Sequence, residues 1–185
     1  MLPFNNGIVK IGCAVMIHIY TGDGKGKTTA ALGLAVRAAG RGMKVIFAQF
    51  IKTAPSGELE PLAKLGVRVI RSGLKLGFTF QMNESEKKLC FEEQRRILGE
   101  AADSARRNSV DMIVLDEVLD AINASVLDEQ SLRSFISTLP ESCEIVLTGR
   151  PVPEWAANAA DYYSLIKKIK HPFDKGIKAR DGIER

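Results

Sequence analysis

Met16-Ile17-His18-Ile19-Tyr20-Thr21-Gly22-Asp23-Gly24-Lys25-Gly26-Lys27-Thr28-Thr29 decides the fold. A short apolar run ends in a glycine-rich turn, and Ala31, Leu34, Ala35 and Ala38 then recur at helical spacing until Gly40 and Gly42 stop them. A loop between a strand and a helix offers successive backbone N–H groups and the positive helix end to an anion. Glycines at 22, 24 and 26 let the backbone wrap closely, Lys27 adds a point charge, and the Thr28 hydroxyl can hold Mg²⁺. The pattern is that of a P-loop gripping the triphosphate of ATP, with Thr21, Gly22, Asp23, Gly24, Lys25, Gly26, Lys27, Thr28 and Thr29 as its binding set. Thr21 occupies the position where the strict pattern G-x-x-x-x-G-K-[ST] has its first glycine. A glycine- and lysine-rich turn that binds nothing would not need both flanking elements.

Outward from the loop, strands and helices alternate. Strands are expected at 44–49, 67–70, 112–115 and 144–147, and helices at 58–65, 130–138 and 154–160. A long helix is expected over Glu84–Arg107, with Asn83 and Glu86 spaced as a capping box. A last strand at 162–169 is expected to complete the core. This order predicts an α/β protein: a mostly parallel open sheet with helices on both faces, P-loop NTPase-like and of the RecA type. At 185 residues and 45% hydrophobic, the chain suits one domain over 1–185, with residues 1–15 as an N-terminal extension.

Charge adds little. Lys plus Arg number 26 against 22 Asp plus Glu, and the formal +4 matches the excess of basic residues after 166. A solvated basic tail explains that better than nucleic acid does. Cys13, Cys90 and Cys143 are far apart and odd in number, which points to a reducing, cytoplasmic setting rather than a disulfide framework or a metal site. Lys10 and His18 interrupt the apolar stretch at 8–20, and no run reaches the roughly 18 residues a membrane span needs.

A second motif is Met112-Ile113-Val114-Leu115-Asp116-Glu117, an apolar strand ending in carboxylates. In P-loop proteins that edge supplies the Mg²⁺ partner, so Thr28 with Asp116 or Glu117 forms the expected metal set. Thr148-Gly149-Arg150 ends the next strand on the same edge, where the Arg150 guanidinium could reach phosphate oxygens or simply lie at the surface. Neither histidine carries a motif, and no Ser-His-Asp order or zinc spacing occurs. A reaction needing only positioning and a stabilised leaving group fits best.

Taken together, these segments resemble the P-loop corrinoid adenosyltransferases. The carriers are Thr21 to Ala31, Arg37 to Gly40, Gln49 to Lys52, Gly57-Glu58, Gly77 to Phe80, Val114 to Glu117, Thr148 to Arg150, Lys170 to Ala179 and Gly182-Ile183. Their order and spacing are the specific signal, and they span the chain from about Ile17 onward. The resemblance implies that Co(I) of a reduced corrinoid attacks C5′ of ATP and that the whole triphosphate leaves. It implies Lys27 as a catalytic charge on the leaving group and favours Glu117 for the metal. Phe78 and Phe80 are implied to press on the lower face of the corrin and ease reduction of Co(II), although two aromatics two apart also suit a buried strand face. Phe80 stands where relatives commonly carry Trp. ATP is thus co-substrate, Mg²⁺ cofactor and the corrinoid substrate. An electron-donor reductase and a second copy of the chain are the implied partners, with neither nucleic acid nor membrane. A P-loop ATPase or ATP-dependent nucleic-acid-binding protein would explain the loop and Asp116-Glu117, but not Gly77 to Phe80 or Lys170 to Ala179.

Overall fold

The computed structural model describes residues 15–52, 55–74, 77, 79–107 and 110–184. Six strands form one all-parallel sheet: β1 (Met16–Thr21), β2 (Val45–Gln49), β3 (Arg68–Arg71), β4 (Met112–Asp116), β5 (Glu144–Thr148) and β6 (Tyr162–Leu165), in the order β3-β2-β4-β5-β1-β6. All five residues of both β2 and β4 are buried, as a parallel strand covered on two faces requires.

Alternation along the strands sorts their side chains to two helical layers. Ile19, Ile46, Ile113, Leu115, Ile145 and Leu147 face one core, shared with α3 (Glu84–Arg107), α4 (Val118–Asn123), α5 (Glu129–Ser137) and α6 (Glu154–Ala159). Val45, Phe47, Met112, Val114 and Val146 face the other, closed by Ala31, Ala35 and Ala38 of α1 (Lys27–Ala39) and Leu62 of α2 (Leu59–Lys64). Small alanines on α1 let that helix lie close against the sheet. The α/β architecture with helices on both faces is as the alternation predicts. The capping box also forms: Asn83 Oδ1 accepts the Glu86 N–H and Glu86 Oε2 accepts the Asn83 N–H, each at 2.9 Å.

Two features depart from the sequence reading. The segment at 162–169 does not complete the core: only Tyr162–Leu165 is strand, it pairs with β1 alone, and all four residues are exposed. An apolar run cannot tell an edge strand from a central one, because the difference lies in what packs beside it. Helix α4 was not anticipated. It has six residues, starts from Glu117 in the left-handed region (φ 60°), has no side-chain cap, and buries Val118, Leu119 and Ala121, so no amphipathic period announces it.

Registers align the strand ends. Gln49 pairs with Asp116, and Tyr20 with Thr148, so the glycine-rich loop, both carboxylates and the Gly149 turn emerge along one edge. Strand β5 lies between the loop strand β1 and the carboxylate strand β4. That edge is where open α/β sheets bind ligands.

Candidate nucleotide site

Thr21 is the buried last residue of β1, in register with Leu165, and its carbonyl accepts the Ile166 N–H at 2.8 Å. The position that the strict motif gives to glycine is therefore a strand residue here, and a β-branched side chain suits it. The next glycines are required by the chain that crosses them. A Cβ on Gly22 would lie 2.3 Å from the Ile166 carbonyl oxygen, and one on Gly24 would lie 2.8 Å from Lys167 backbone atoms. Gly26 is needed for a different reason, its φ of +128°. The loop is also less free than its motif suggests, because Gly24 N–H donates to the Ile166 carbonyl at 2.9 Å. Asp23 Oδ1 accepts the Lys168 N–H at 3.0 Å, which holds its carboxyl below the usual range.

Lys27 folds along the loop, donating to the carbonyls of Gly22 (2.8 Å) and Gly24 (3.1 Å). Burial, and after it the charge of Arg150, lowers its pKa. Thr28 Oγ1 and Thr148 Oγ1 both donate to Asp116 Oδ1, at 2.9 and 2.8 Å. The Thr148 oxygen in turn accepts the Glu117 N–H at 2.8 Å. One hydroxyl from the strand between β1 and β4 thereby fixes both neighbouring carboxylate residues.

Asp116 and Glu117 differ in access. Asp116 is 0% exposed, its Oδ1 is taken by the two hydroxyls, and burial pushes its pKa up. Glu117 is turned out by its left-handed backbone and lines the cleft. Its pKa is pushed up to about 7, by burial first and then by the charge of Asp116. Among the described residues no three His, Cys, Asp or Glu side chains gather as ligands of one metal ion. Mg²⁺ at phosphate sites needs no such cage, since one or two protein oxygens plus substrate phosphates suffice. The Thr28 hydroxyl and Glu117 carboxylate, both in the cleft wall, are oxygen donors of that kind.

The cleft has a volume of about 760 Å³ and runs along Asp23 to Thr29. Lys52, Gly57 and Glu58 extend it from the β2 side, and His171 and Gly182 to Glu184 from the C-terminal segment. Thus Asp23, Gly24, Lys25, Gly26, Lys27, Thr28, Thr29 and Glu117 come together as expected, while Thr21, Gly22 and Asp116 stand behind the wall. Arg150 is exposed and lies outside the wall, although its charge is felt at Lys27 and Asp23. Phe78, and the side chain of Phe80, lie outside the described residues.

Several participants have no role in the sequence reading, although Gln49, Lys52 and Glu58 stand in segments that carry the family resemblance. Gln49 is fully buried, and its Nε2 donates to Glu58 Oε1 at 3.2 Å and to Asp116 Oδ2 at 3.5 Å. Lys52 Nζ pairs with Glu58 at 3.3 Å. Burial acts to raise the Glu58 pKa, but hydrogen bonds from Ser56 and its own backbone, with the Lys52 charge, leave it lowered. A glutamine closing an otherwise apolar strand was the available signal, since buried polar groups find partners. Asp120 of α4 accepts the Arg150 backbone N–H, and burial raises its pKa. A Cβ on Gly149 would meet Asp120 Oδ2 at 2.5 Å, so this glycine lets the turn close onto the carboxylate.

A family model described as ATP:corrinoid adenosyltransferase BtuR/CobO/CobP matches residues 14–185. A corrinoid adenosyltransferase of Escherichia coli strain K12 is 37% identical over 172 residues, covering 91% of this chain and 85% of the relative. Corrinoid adenosyltransferase CobA of Salmonella typhimurium is 35% identical over 175 residues, with the same coverage of each chain. A corrinoid adenosyltransferase of Pseudomonas aeruginosa is 32% identical over 170 residues, covering 91% of this chain and 83% of the relative.

Proposed function

This chain belongs to the ATP:corrinoid adenosyltransferase family, and from that premise we propose how its own residues serve the reaction. The reaction is ATP-dependent adenosyl transfer to a corrinoid. In our reading, the electron pair of Co(I) in the reduced corrinoid forms the Co–C5′ bond, the C5′–O bond of ATP breaks, and triphosphate leaves with the electron pair of that C–O bond. The observation carrying this assignment is the cleft itself, where Lys27 and Thr28 share a wall with Glu117 just after β4, and Asp116 and Thr148 link the Thr28 hydroxyl to the Glu117 backbone N–H.

Co(I) is already a strong nucleophile, so the protein must align it and stabilise the charge that develops on the leaving group. In this proposal Lys27 and the N–H groups of the loop and the start of α1 supply that charge stabilisation. Thr28 and Glu117 would hold Mg²⁺, which adds charge stabilisation at the phosphates. Asp116, buried behind them, orients Thr28 rather than facing the ligand. Arg150, exposed beside the cleft with its backbone N–H held by Asp120, adds positive charge to the phosphate side in this proposal. Phe78 and Phe80 press on the lower corrin face, removing the axial donor and easing reduction of Co(II). An electron-donor reductase, a homodimer, a cytoplasmic setting and a single domain preceded by an extension at 1–15 belong to the same proposal. Among the described residues no helix is long and apolar enough to cross a membrane.

Incubation of the chain with chemically reduced corrinoid and MgATP tests the reading. A light-sensitive cobalt–carbon product is expected, together with intact tripolyphosphate by phosphorus NMR. ADP or free phosphate rising in step with turnover would instead move the chain to the ATPase class.

A further inference from the structure

Beyond β6 the chain turns back over the phosphate loop. After the contacts of Ile166 with Gly24 and of Lys168 with Asp23, Lys168 Nζ pairs with Asp174 Oδ1 at 2.8 Å. His171 lies within this strap, half-buried in the same cleft wall as the loop. Its Nδ1 accepts the Phe173 N–H at 3.1 Å. A ring that accepts at Nδ1 must carry its proton on Nε2, so its other nitrogen is a hydrogen-bond donor. The Glu184 carboxylate of the same wall is engaged by the backbone N, Nε and Nη2 of Arg180.

We infer that His171 is a triphosphate-binding residue, donating its Nε2–H to a phosphate oxygen of ATP from the C-terminal side of the cleft. The inference rests on the reading of this cleft as the ATP site. Phosphate rather than base is the ligand because the wall shared with His171 is the phosphate loop, with Lys25 and Lys27 adding positive charge. The strap then has two tasks: shaping the loop through Ile166 to Lys168, and adding a donor to its anion site. The second task would explain why a histidine stands at the start of the turn over Pro172–Lys175.

Asparagine separates the tasks. In His171→Asn the side-chain oxygen can still accept the Phe173 N–H, as Asn does in turns, but no group replaces Nε2. Affinities of the full-length chain for MgATP and for magnesium tripolyphosphate, measured by calorimetry, are compared for the parent, His171→Asn, His171→Ala and Lys27→Ala. Melting temperature is followed alongside. Both histidine variants should bind both ligands roughly ten-fold more weakly, with Asn keeping the parental melting temperature. Parental affinity in His171→Asn with loss only in His171→Ala would reduce the residue to a turn former and overturn the inference. Weakened ATP binding with unchanged tripolyphosphate binding would overturn it too, moving the contact to the nucleoside. If Lys27→Ala alone loses affinity, the ATP site stands and only His171 is withdrawn. A parent that binds neither ligand would sink the site reading itself.

Discussion

Glu117→Gln should lose adenosyl transfer by about two orders of magnitude, the scale of removing one transition-state charge partner, and yet melt higher than the parent at pH 8. The first effect follows if Glu117 is the carboxylate that holds Mg²⁺ against the triphosphate, since glutamine keeps the shape and removes the charge. The second follows from linkage. Burial and Asp116 hold the Glu117 proton to about 7, above its ordinary value of 4.5. The folded chain therefore binds more protons than the unfolded chain between those values, and stability falls as pH rises through that window. Above pH 7 the ionised carboxylate costs the fold about 3 kcal/mol, and glutamine removes that cost. Below about pH 4.5 both chains carry a neutral group, and the difference in melting temperature should vanish. Thermal melts from pH 4 to pH 8 without nucleotide or metal, beside rates with reduced corrinoid, decide the matter. Equal melting temperatures across that range would show that Glu117 is not held neutral. Parental activity in the variant would take the metal role away from it.

The second large effect is at Lys27. Lys27→Ala removes the charge on the leaving triphosphate and also the staple between the Gly22 and Gly24 carbonyls. A loss of at least about 2 kcal/mol in transition-state stabilisation is expected, roughly 30-fold in rate. Its kinetic form is informative. If Lys27 acts mainly on charge that develops as the C5′–O bond breaks, kcat falls at saturating ATP; if it binds substrate and transition state alike, only KM rises. The backbone of the loop is also held by Ile166 and Lys168, so the variant should melt close to the parent. Parental kcat and parental KM for ATP at saturating corrinoid would mean that this loop does not hold the triphosphate.

Local sequence carried much of this protein. Met16 to Thr29 contains its own strand, turn and helix, and the chemistry of glycine, lysine and threonine there depends on neighbours a few residues away. Helix α3 was legible to its ends because its period and capping box are local. The carboxylates at 116 and 117 were legible as a strand end, with Glu117 favoured only by the family resemblance and nothing local to say which of them is shielded. That was decided by Thr28 and Thr148, which enclose Asp116 from two other elements, and by the left-handed backbone that turns Glu117 outward.

Gly22 and Gly24 make the same point more sharply. Read in sequence, they serve phosphate; in the fold they also make room for Ile166 and Lys167, more than 140 residues later in the chain. The exposed edge at β6, the Asp120 clamp on the Arg150 turn, the buried link from Gln49 to Glu58, and His171 in the cleft wall are likewise contacts between distant segments. The sequence alone determined the strand–loop–helix unit, the alternation that makes a parallel sheet, and which loop residues are proposed to bind phosphate, because backbone preference and side-chain period act over short range. Only the tertiary structure decided which groups share the cleft, which carboxylate is shielded and what the C-terminal strap covers, because burial and hydrogen-bond partnership are set by whatever the folded chain brings alongside.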